Sequence, residues 1–483
     1  MSLARHPGLR WGLLLAGALA WRLLFFVGPQ GSDDLVYSEL AHALRTGSYH
    51  PAPDIFSTRT GYLACIALGY GLFGAGPFTL VLPNLLFSLA GIVLAYHLAL
   101  EFLDERGAWK AALLVAIAPP DVFLATEAHT DLPLTVLFSG ALLLHLRARK
   151  SGWIPGVVLA GVVLGVAHLF KESAFFGLVA MAAVAGRPRR IDAWVLAGFA
   201  IPLAVESLAL GSATGDAFFR FHSVREAQHV NIAALEATSG SGILRAFGGL
   251  LEFVDPSSQA TSFLGPLPVL ALVSIGIAWR HSNEPLRSCG LWMLALILLS
   301  VFWPITMFPY RPALWNHARI FTIAEVPMIF LTVALLDRLS GRRAVAAWAL
   351  LALACAGCTG VLYADARRTT EGARWAYEGP LRSSTGAVSD PRTAALFQLY
   401  DGYRPERTWK DWHHPEGPPL RVANDHMIRS LKLWYGTTPP PGFEPAGPPV
   451  ERHQGPGRLR LRPLLVGKVD RIPGDEVRIY RVP

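Results

Sequence analysis

The stretch FTLVLPNLLFSLAGIVLAYHLAL, residues 78–100, decides the class of this protein. It contains no Asp, Glu, Lys or Arg, and an α-helix needs about 20 mostly apolar residues to cross a bilayer. The whole chain has the same character, because 52% of its 483 residues are hydrophobic and only 16% are charged. A soluble domain carries roughly 25% charged residues. The composition therefore predicts a polytopic α-helical membrane protein and excludes disordered, collagen-like and disulfide-stapled proteins.

Ten other stretches are similarly apolar, so the sequence predicts about eleven transmembrane helices. The approximate bounds of all eleven are 11–28, 78–100, 108–126, 131–147, 154–170, 173–186, 191–210, 263–280, 289–306, 319–337 and 343–362. The run 61–76 is also apolar, but it is short and rich in glycine. We expect it to lie at the membrane interface or to re-enter the membrane. The first span is expected to be retained, since no small cleavage-site residues follow it.

Basic residues are distributed unequally between alternate loops. With a cytoplasmic N-terminus, the inside loops contain RARK (147–150), GRPRR (186–190) and SGRR (340–343). The inside loops thus contain more basic residues than the outside loops, as the positive-inside rule requires. We therefore predict a multi-pass protein of a bacterial-type inner (plasma) membrane. The net charge of +8 fits anchoring to anionic membrane lipids, and no nucleic-acid partner is expected.

The composition changes at about residue 362, where Pro, Arg, Asp and Glu become frequent. We predict a transmembrane domain over 1–362 and a small extracytoplasmic α/β domain over 363–483. In the second domain, TGAVSD (385–390) predicts a strand and EVRIYRV (476–482) a closing strand. Between them, PRTAALFQLY (391–400) predicts a helix with proline in its first turn.

Two adjacent carboxylates, Asp33 and Asp34, follow the first span on the outside. One interpretation is structural, since SDD before the helical run LVYSELAHAL fits a helix N-cap. The other is catalytic: one carboxylate takes a proton from an incoming hydroxyl, while the second positions the acceptor or a metal. The residues alone leave both interpretations open.

The segment TEAHTDLP (126–133), between the third and fourth predicted spans, is also acidic. Glu127 and Asp131 are four residues apart, so a continuing helix would place them on one face, with His129 between them. Carboxylates this close to a bilayer are costly and indicate function. The alternative is a simple polar loop in which His129 is hydrogen-bonded.

Cations lie at two further outside span ends. Lys171, beside Glu172 in HLFKESAFF, could meet a phosphate as a point charge, or it could snorkel within a local ion pair. His317 and Arg319 lie where the chain re-enters the membrane. Arg is suited to a bidentate grip on phosphate, although an interfacial anchor is the alternative.

All four features fall on the same predicted side of the membrane. Together they predict an external cavity at membrane level that suits group transfer from a phosphate-bearing lipid. No cofactor is certain. A divalent metal ion stays open, with Asp34 and Asp131 as candidate ligands.

A series of residues occurs here in a familiar order and spacing. They are Arg22, Asp33, Asp34, Tyr37, Gly47, LFG at 72–74, the span 81–100, Asp131, Lys171, TGDAFF at 214–219 and the stretch Arg319 to Pro327. In this series the chain resembles the GT-C superfamily of integral-membrane glycosyltransferases, in the branch of protein O-mannosyltransferases, lipid A aminoarabinose transferases and Rgt-like proteins. It departs from the family pattern in having Asp-Asp for Asp-Glu and RTGYLA for the Pro-Pro-Leu segment.

The resemblance implies a GT-C fold and transfer of a sugar from a polyprenyl-phosphate donor to a lipid, glycan or protein acceptor outside the cytoplasm, with inversion. It implies that Asp33 is the base, supported by Asp34. Glu127 and Asp131 then serve acceptor placement or a metal. Lys171 and Arg319 serve the phosphate, and His129 and His317 are further substrate-binding candidates.

A transporter or flippase of a lipid-linked sugar is the alternative function. Transporters often show repeated halves, and no internal repeat is visible in this sequence. The charged residues also gather at span ends rather than at the bilayer midplane, which favours an enzyme. A structural scaffold would leave the acidic clusters unexplained.

Overall fold

The computed structural model describes most of the chain. The described residues are 7–187, 189–236, 248, 250, 251, 263–281, 283–307, 310–312, 318–413, 420–425, 427, 428, 438–440, 443, 449–454, 458–461, 469–472 and 476–481. The chain divides into two compact units. The first contains Met1–Phe26, His50–Ala64 and Asn84–Leu362, and the second contains Val27–Tyr49, Cys65–Pro83 and Tyr363–Pro483.

Helices dominate the described part of the chain. In chain order they are α1 (Pro7–Leu24), α2 (Asp33–Thr46), α3 (Thr60–Phe73), α4 (Pro77–Ala99), α5 (Glu105–Ile117), α6 (Pro119–Leu124), α7 (Asp131–Ser151), α8 (Ile154–Phe170), α9 (Phe176–Ala185), α10 (Trp194–Thr214), α11 (Phe219–Glu236), α12 (Leu267–Arg280), α13 (Glu284–Phe302), α14 (Glu325–Leu336), α15 (Gly341–Glu378) and α16 (Pro391–Tyr400). Short 3₁₀ segments, Glu172–Phe175, Arg190–Ala193 and Ala318–Ala324, precede α9, α10 and α14.

Several of these helices suit a membrane. By length and composition, five helices within the described ranges are able to cross one: Pro77–Ala99, Asp131–Ser151, Arg190–Thr214, Glu284–Phe302 and Gly341–Arg367. Five shorter apolar helices accompany them in the described residues, among them Thr60–Phe73, which coincides with the glycine-rich run 61–76. The helical membrane architecture predicted from the sequence is thus confirmed, while the number of eleven spans stays a prediction.

Most predicted spans differ from the observed helices by a few residues at their ends, and two differ more strongly. The stretch 108–126 forms two helices, because Ala118 adopts an extended conformation (φ −64°, ψ 130°) between α5 and α6. Pro119 explains this break, since a residue before proline is disfavoured in the α region. The predicted helix 343–362 extends from Gly341 to Glu378 as α15, with no break at the change of composition.

Close packing in the first unit depends on small residues. Helix α8 packs against both α7 and α10. A Cβ atom on Gly165 of α8 would lie 2.8 Å from the carbonyl oxygen of Phe199 on α10. Gly161 and Gly198 face the opposite helix in the same way. Small residues of this kind let two membrane helices approach at backbone distance.

The second unit contains the α/β part of the chain. Among the residues that the structure describes, five strands form one sheet in the order β4-β3-β5-β9-β6, with β3 (Gly386–Ser389), β4 (Thr408–Asp411), β5 (Leu420–Asn424), β6 (Glu451–Gln454) and β9 (Glu476–Arg481). β3 is parallel to β4 and β5, and β9 is antiparallel to β5 and β6. The other strands in the described part of the chain form two antiparallel pairs: β1 (Pro304–Met307) with β2 (Tyr310–Pro312) in the first unit, and β7 (Arg458–Leu461) with β8 (Val469–Ile472) in the second.

The three elements predicted for this region are confirmed. β3 and β9 occupy the two predicted strands, and α16 covers 391–400. Asp390 caps α16 by accepting a hydrogen bond from the backbone N–H of Thr393 at 2.9 Å, and Pro391 follows at the first helical position. Val388, Trp412 and Tyr480 contribute to the core of this sheet.

Candidate active site

The first unit brings Asp131 and Lys171 together. Asp131 is the first residue of α7, and Lys171 directly follows the last residue of α8. A short turn at Gly152 and Trp153 joins these helices, so that the start of one lies beside the end of the other. Nζ of Lys171 donates to Oδ1 of Asp131 at 2.5 Å, and the two side chains are only 14% and 7% exposed.

A second set of contacts involves His129. Its Nε2 lies 2.9 Å from Oε1 of Glu127, and Nη1 of Arg319 lies 3.1 Å from its Nδ1 and 3.2 Å from its Nε2. Because the guanidinium only donates, this arrangement fits an imidazole that carries its proton on Nε2 and accepts from Arg319 through Nδ1. Glu127 therefore orients His129, which in turn orients Arg319.

The two sets belong to one cluster. Asp131 interacts electrostatically with Arg319 and His129 as well as with Lys171. Five of the residues predicted from the sequence, Glu127, His129, Asp131, Lys171 and Arg319, thus lie together in the first unit. His317, the sixth binding candidate, lies outside the described residues.

The polar segment between α6 and α7 is held by Asn84, a residue that was not predicted to belong to the site. Its amide Nδ2 lies 2.9, 2.8 and 2.7 Å from the carbonyl oxygens of Leu124, Glu127 and His129. Tyr62 donates to its Oδ1 at 2.9 Å. This buried amide fixes the backbone that carries His129. In the sequence, Asn84 could have been recognised as a polar residue inside the apolar stretch 78–100.

Two further ion pairs surround the cluster. Arg59 donates to both carboxylate oxygens of Glu172, at 3.1 and 3.2 Å. Glu172 also interacts electrostatically with Lys171 and Arg220. Arg220 in turn donates to Glu206 at 2.6 Å and to the carbonyl oxygens of Thr58 and His168.

Both candidate metal ligands, Asp34 and Asp131, have other partners in the structure. Among the residues that the structure describes, no group of three or more His, Cys, Asp or Glu side chains could hold a metal ion. Asp131 is paired with Lys171, and both carboxylate oxygens of Asp34 accept backbone hydrogen bonds. Metal dependence stays a prediction, which transfer assays after chelation would test.

The second unit contains the acidic pair. Asp33 and Asp34 form the first turn of α2, where carboxylates interact favourably with the helix dipole. Asp34 is fully buried and accepts hydrogen bonds from the backbone N–H groups of Gln30 at 2.5 Å and Ser32 at 2.7 Å. Asp33 is partly exposed. Asp34 thus stabilises the turn before α2, while a catalytic role of Asp33 stays a prediction.

Known proteins are similar to this chain in part of its sequence and in its fold. The profile of the family described as dolichyl-phosphate-mannose-protein mannosyltransferase matches residues 60–207. No curated protein sequence matches the chain.

Several solved structures have a similar fold. ArnT from Cupriavidus metallidurans in the apo state is 16% identical, with a TM-score of 0.54 and coverage of 87% of this chain and 94% of that chain. ArnT bound to undecaprenyl phosphate is 17% identical, with a TM-score of 0.51 and 97% coverage of both chains. The Archaeoglobus fulgidus oligosaccharyltransferase in complex with Zn and sulfate is 14% identical, with a TM-score of 0.51 and coverage of 87% and 69%.

The family profile is that of a mannosyltransferase, and the Archaeoglobus fulgidus structure is that of an oligosaccharyltransferase. The resemblance predicted from the sequence is therefore confirmed: the chain has the fold of the GT-C glycosyltransferase superfamily, and its residues 60–207 match the mannosyltransferase family within it.

Proposed function

We propose that this protein is a glycosyltransferase that moves a sugar from a polyprenyl-phosphate carrier to an acceptor on the extracytoplasmic face of the plasma membrane. The observation that carries the proposal is the buried cluster in which Asp131 interacts with both Lys171 and Arg319. Similarity to an ArnT structure with bound undecaprenyl phosphate supports the choice of donor.

The cluster suits a lipid phosphate as leaving group. Negative charge grows on the phosphate as the bond to the sugar breaks, so cations fixed beforehand stabilise the transition state more than the ground state. Asp131 holds the ammonium of Lys171, and His129 orients the guanidinium of Arg319. A planar guanidinium can donate two parallel hydrogen bonds to phosphate oxygens, which an ammonium cannot reproduce.

A base is also needed, because the acceptor hydroxyl is a weak nucleophile. We assign this role to Asp33, since it is partly exposed whereas Asp34 is buried and hydrogen-bonded to the backbone. Asp33 removes the hydroxyl proton, the acceptor oxygen bonds to the anomeric carbon, and the carrier phosphate leaves with the electron pair of the broken bond. A single displacement of this kind inverts the anomeric carbon.

Replacing Asp33 with asparagine tests the base. We expect Asp33→Asn to lower the transfer rate by about 10²- to 10⁴-fold, the usual contribution of a general base, while the variant unfolds at the normal temperature. Asp34→Asn is the matched control and should mainly lower thermal stability. Activity in Asp33→Asn together with its loss in a folded Asp34→Asn would identify Asp34 as the base. Activity in both variants would refute a base in this pair.

Replacing Arg319 with lysine tests the phosphate site while keeping the charge. We expect kcat/KM for the lipid donor to fall by about 10- to 10²-fold, the size of one charged hydrogen bond, with little change in the KM for the acceptor. Arg338→Lys, an exposed position just after α14, is the control and should behave as wild type. If kcat/KM for the lipid donor is unchanged in Arg319→Lys, Arg319 is an interfacial anchor and not a phosphate ligand.

A further inference from the structure

Tyr403, in the second unit, has an unusual backbone conformation. Its φ is +58°, and it is the one non-glycine residue with positive φ among the residues that the structure describes. This left-handed region is uncommon for bulky side chains. Tyr403 closes the end of α16, where its N–H donates to the carbonyl oxygen of Gln398 at 2.9 Å. Glycine or asparagine would satisfy such a turn with less strain, so the tyrosine side chain needs a separate explanation.

The side chain of Tyr403 contacts helix α2. Its hydroxyl lies 2.7 Å from Oγ of Ser38, and Oγ lies 2.7 Å from the hydroxyl of Tyr70. The tyrosine ring also stacks on His42, with ring centroids 4.3 Å apart and an angle of 16°. Burial and the charge of Arg45 lower the pKa of His42, which favours a neutral ring in this stack at pH 7.

These contacts act on the helix that begins with the acidic pair. Asp34, Ser38 and His42 are spaced four residues apart, so they lie on one face of α2. Asp34 ties the start of this face to the preceding turn. Tyr403 contacts the next two residues of this face, Ser38 through a hydrogen bond and His42 through the ring stack. The rotation of α2 about its axis is thereby fixed, and with it the direction in which Asp33 points.

We propose that Tyr403 is a positioning residue for Asp33, through which the C-terminal region sets the orientation of the base-bearing helix α2. The proposal rests on the proposed function, in which Asp33 is the base. It explains why a strained tyrosine occupies a turn position that glycine would fill more easily. Strained backbone of this kind persists where the surrounding contacts require it.

Tyr403→Asn tests the proposal, because asparagine tolerates the left-handed conformation but loses both the hydrogen bond and the stack. We expect kcat to fall by up to about 10²-fold, as for a displaced catalytic group, with an unchanged KM for the lipid donor. The acid limb of the pH profile of kcat/KM, which reports the base in the free enzyme, should also shift. Tyr377→Phe is the matched control. It removes a tyrosine hydroxyl bonded to Asp401 at 2.8 Å, and it should leave kcat and the pH profile unchanged.

Combining the variants separates this inference from the proposed function. If Tyr403 acts through Asp33, adding Tyr403→Asn to Asp33→Asn should cause no further loss of rate. A multiplicative loss in the double variant would overturn the positioning role, as would normal kcat in Tyr403→Asn beside an inactive Asp33→Asn. Normal turnover of the Asp33→Asn variant itself would instead reject Asp33 as the base.

Discussion

Arg22 shows how much a single buried residue organises in this protein. It is fully buried, and its guanidinium donates to Ser88 at 2.6 Å, to the carbonyl oxygens of Ala18 and Ala116 at 3.0 Å each, and to Asp121. Glu325 is also buried and interacts electrostatically with both Arg22 and Asp121. The network therefore connects α1, α4 and α6 with the start of α14. Asp121 lies ten residues before Asp131, and Glu325 lies six residues after Arg319.

Asp121 and Glu325 should differ in their importance for stability. One guanidinium balances one carboxylate, and Asp121 is the carboxylate bonded directly to Arg22. Asp121→Asn should lower the free energy of unfolding by about 3–5 kcal/mol, because it leaves Arg22 buried without a charged partner. Glu325→Gln keeps the shape and removes no such pair, so it should cost less than about 1 kcal/mol. Thermal unfolding in detergent measures both, and equal losses would contradict this account.

At the scale of elements, the contact between α8 and α10 depends on glycine. A Cβ atom on Gly198 would clash with the backbone carbonyl of Val158, and a backbone atom cannot move aside as a flexible side chain can. At Gly276 of α12, nothing lies within 4 Å of the added Cβ. Both glycines are inside apolar helices, so they differ mainly in the space around them.

Alanine at these two positions should therefore have opposite effects. Gly198→Ala should lower thermal stability, because α8 and α10 must separate to admit the methyl group; forced packing of this kind typically costs about 1–3 kcal/mol. Gly276→Ala should be neutral or stabilise by up to about 1 kcal/mol, since alanine favours the helix. The unfolding temperatures of the two purified variants provide the comparison. A stabilised Gly198→Ala would show that the helices are not in close contact.

At the scale of the whole molecule, ion pairs in the first unit follow the predicted sides of the membrane. The basic segment RARK pairs with Glu101 through Arg147 and Lys150, and with Asp192 through Arg149. Lys110 pairs with Asp337. All of these residues belong to helix ends or loops predicted to be cytoplasmic. The pairs around Asp131, Glu172 and Glu206 join ends predicted to be external. Loops predicted on one side thus contact each other.

Cysteine labelling tests which of these predicted sides of the membrane is cytoplasmic and which is external. In a background without the four native cysteines, Glu406→Cys should react with an impermeant maleimide in intact cells, because position 406 is exposed in the C-terminal region. Lys150→Cys, also exposed, should react after permeabilisation only. If position 150 alone is labelled in intact cells, the topology is the reverse of the predicted one.

The sequence by itself determined the local features of this protein. Apolar runs predicted the membrane helices, because a helix in lipid must satisfy its backbone internally and expose apolar side chains. In the C-terminal region, alternating and capping patterns predicted β3, α16 and β9 for the same local reason. The acidic and basic residues at the helix ends were likewise visible, since charge near a bilayer is costly and therefore conspicuous.

Tertiary structure alone decided which of these residues meet. Lys171 and Asp131 are 40 residues apart, Arg22 and Asp121 are 99 apart, and Arg319 and His129 are 190 apart. No periodicity connects positions so distant, because their proximity results from the packing of whole helices. For the same reason the sequence did not reveal that Asn84 holds the His129 backbone, that Arg59 pairs with Glu172, or that a strained tyrosine at position 403 contacts α2.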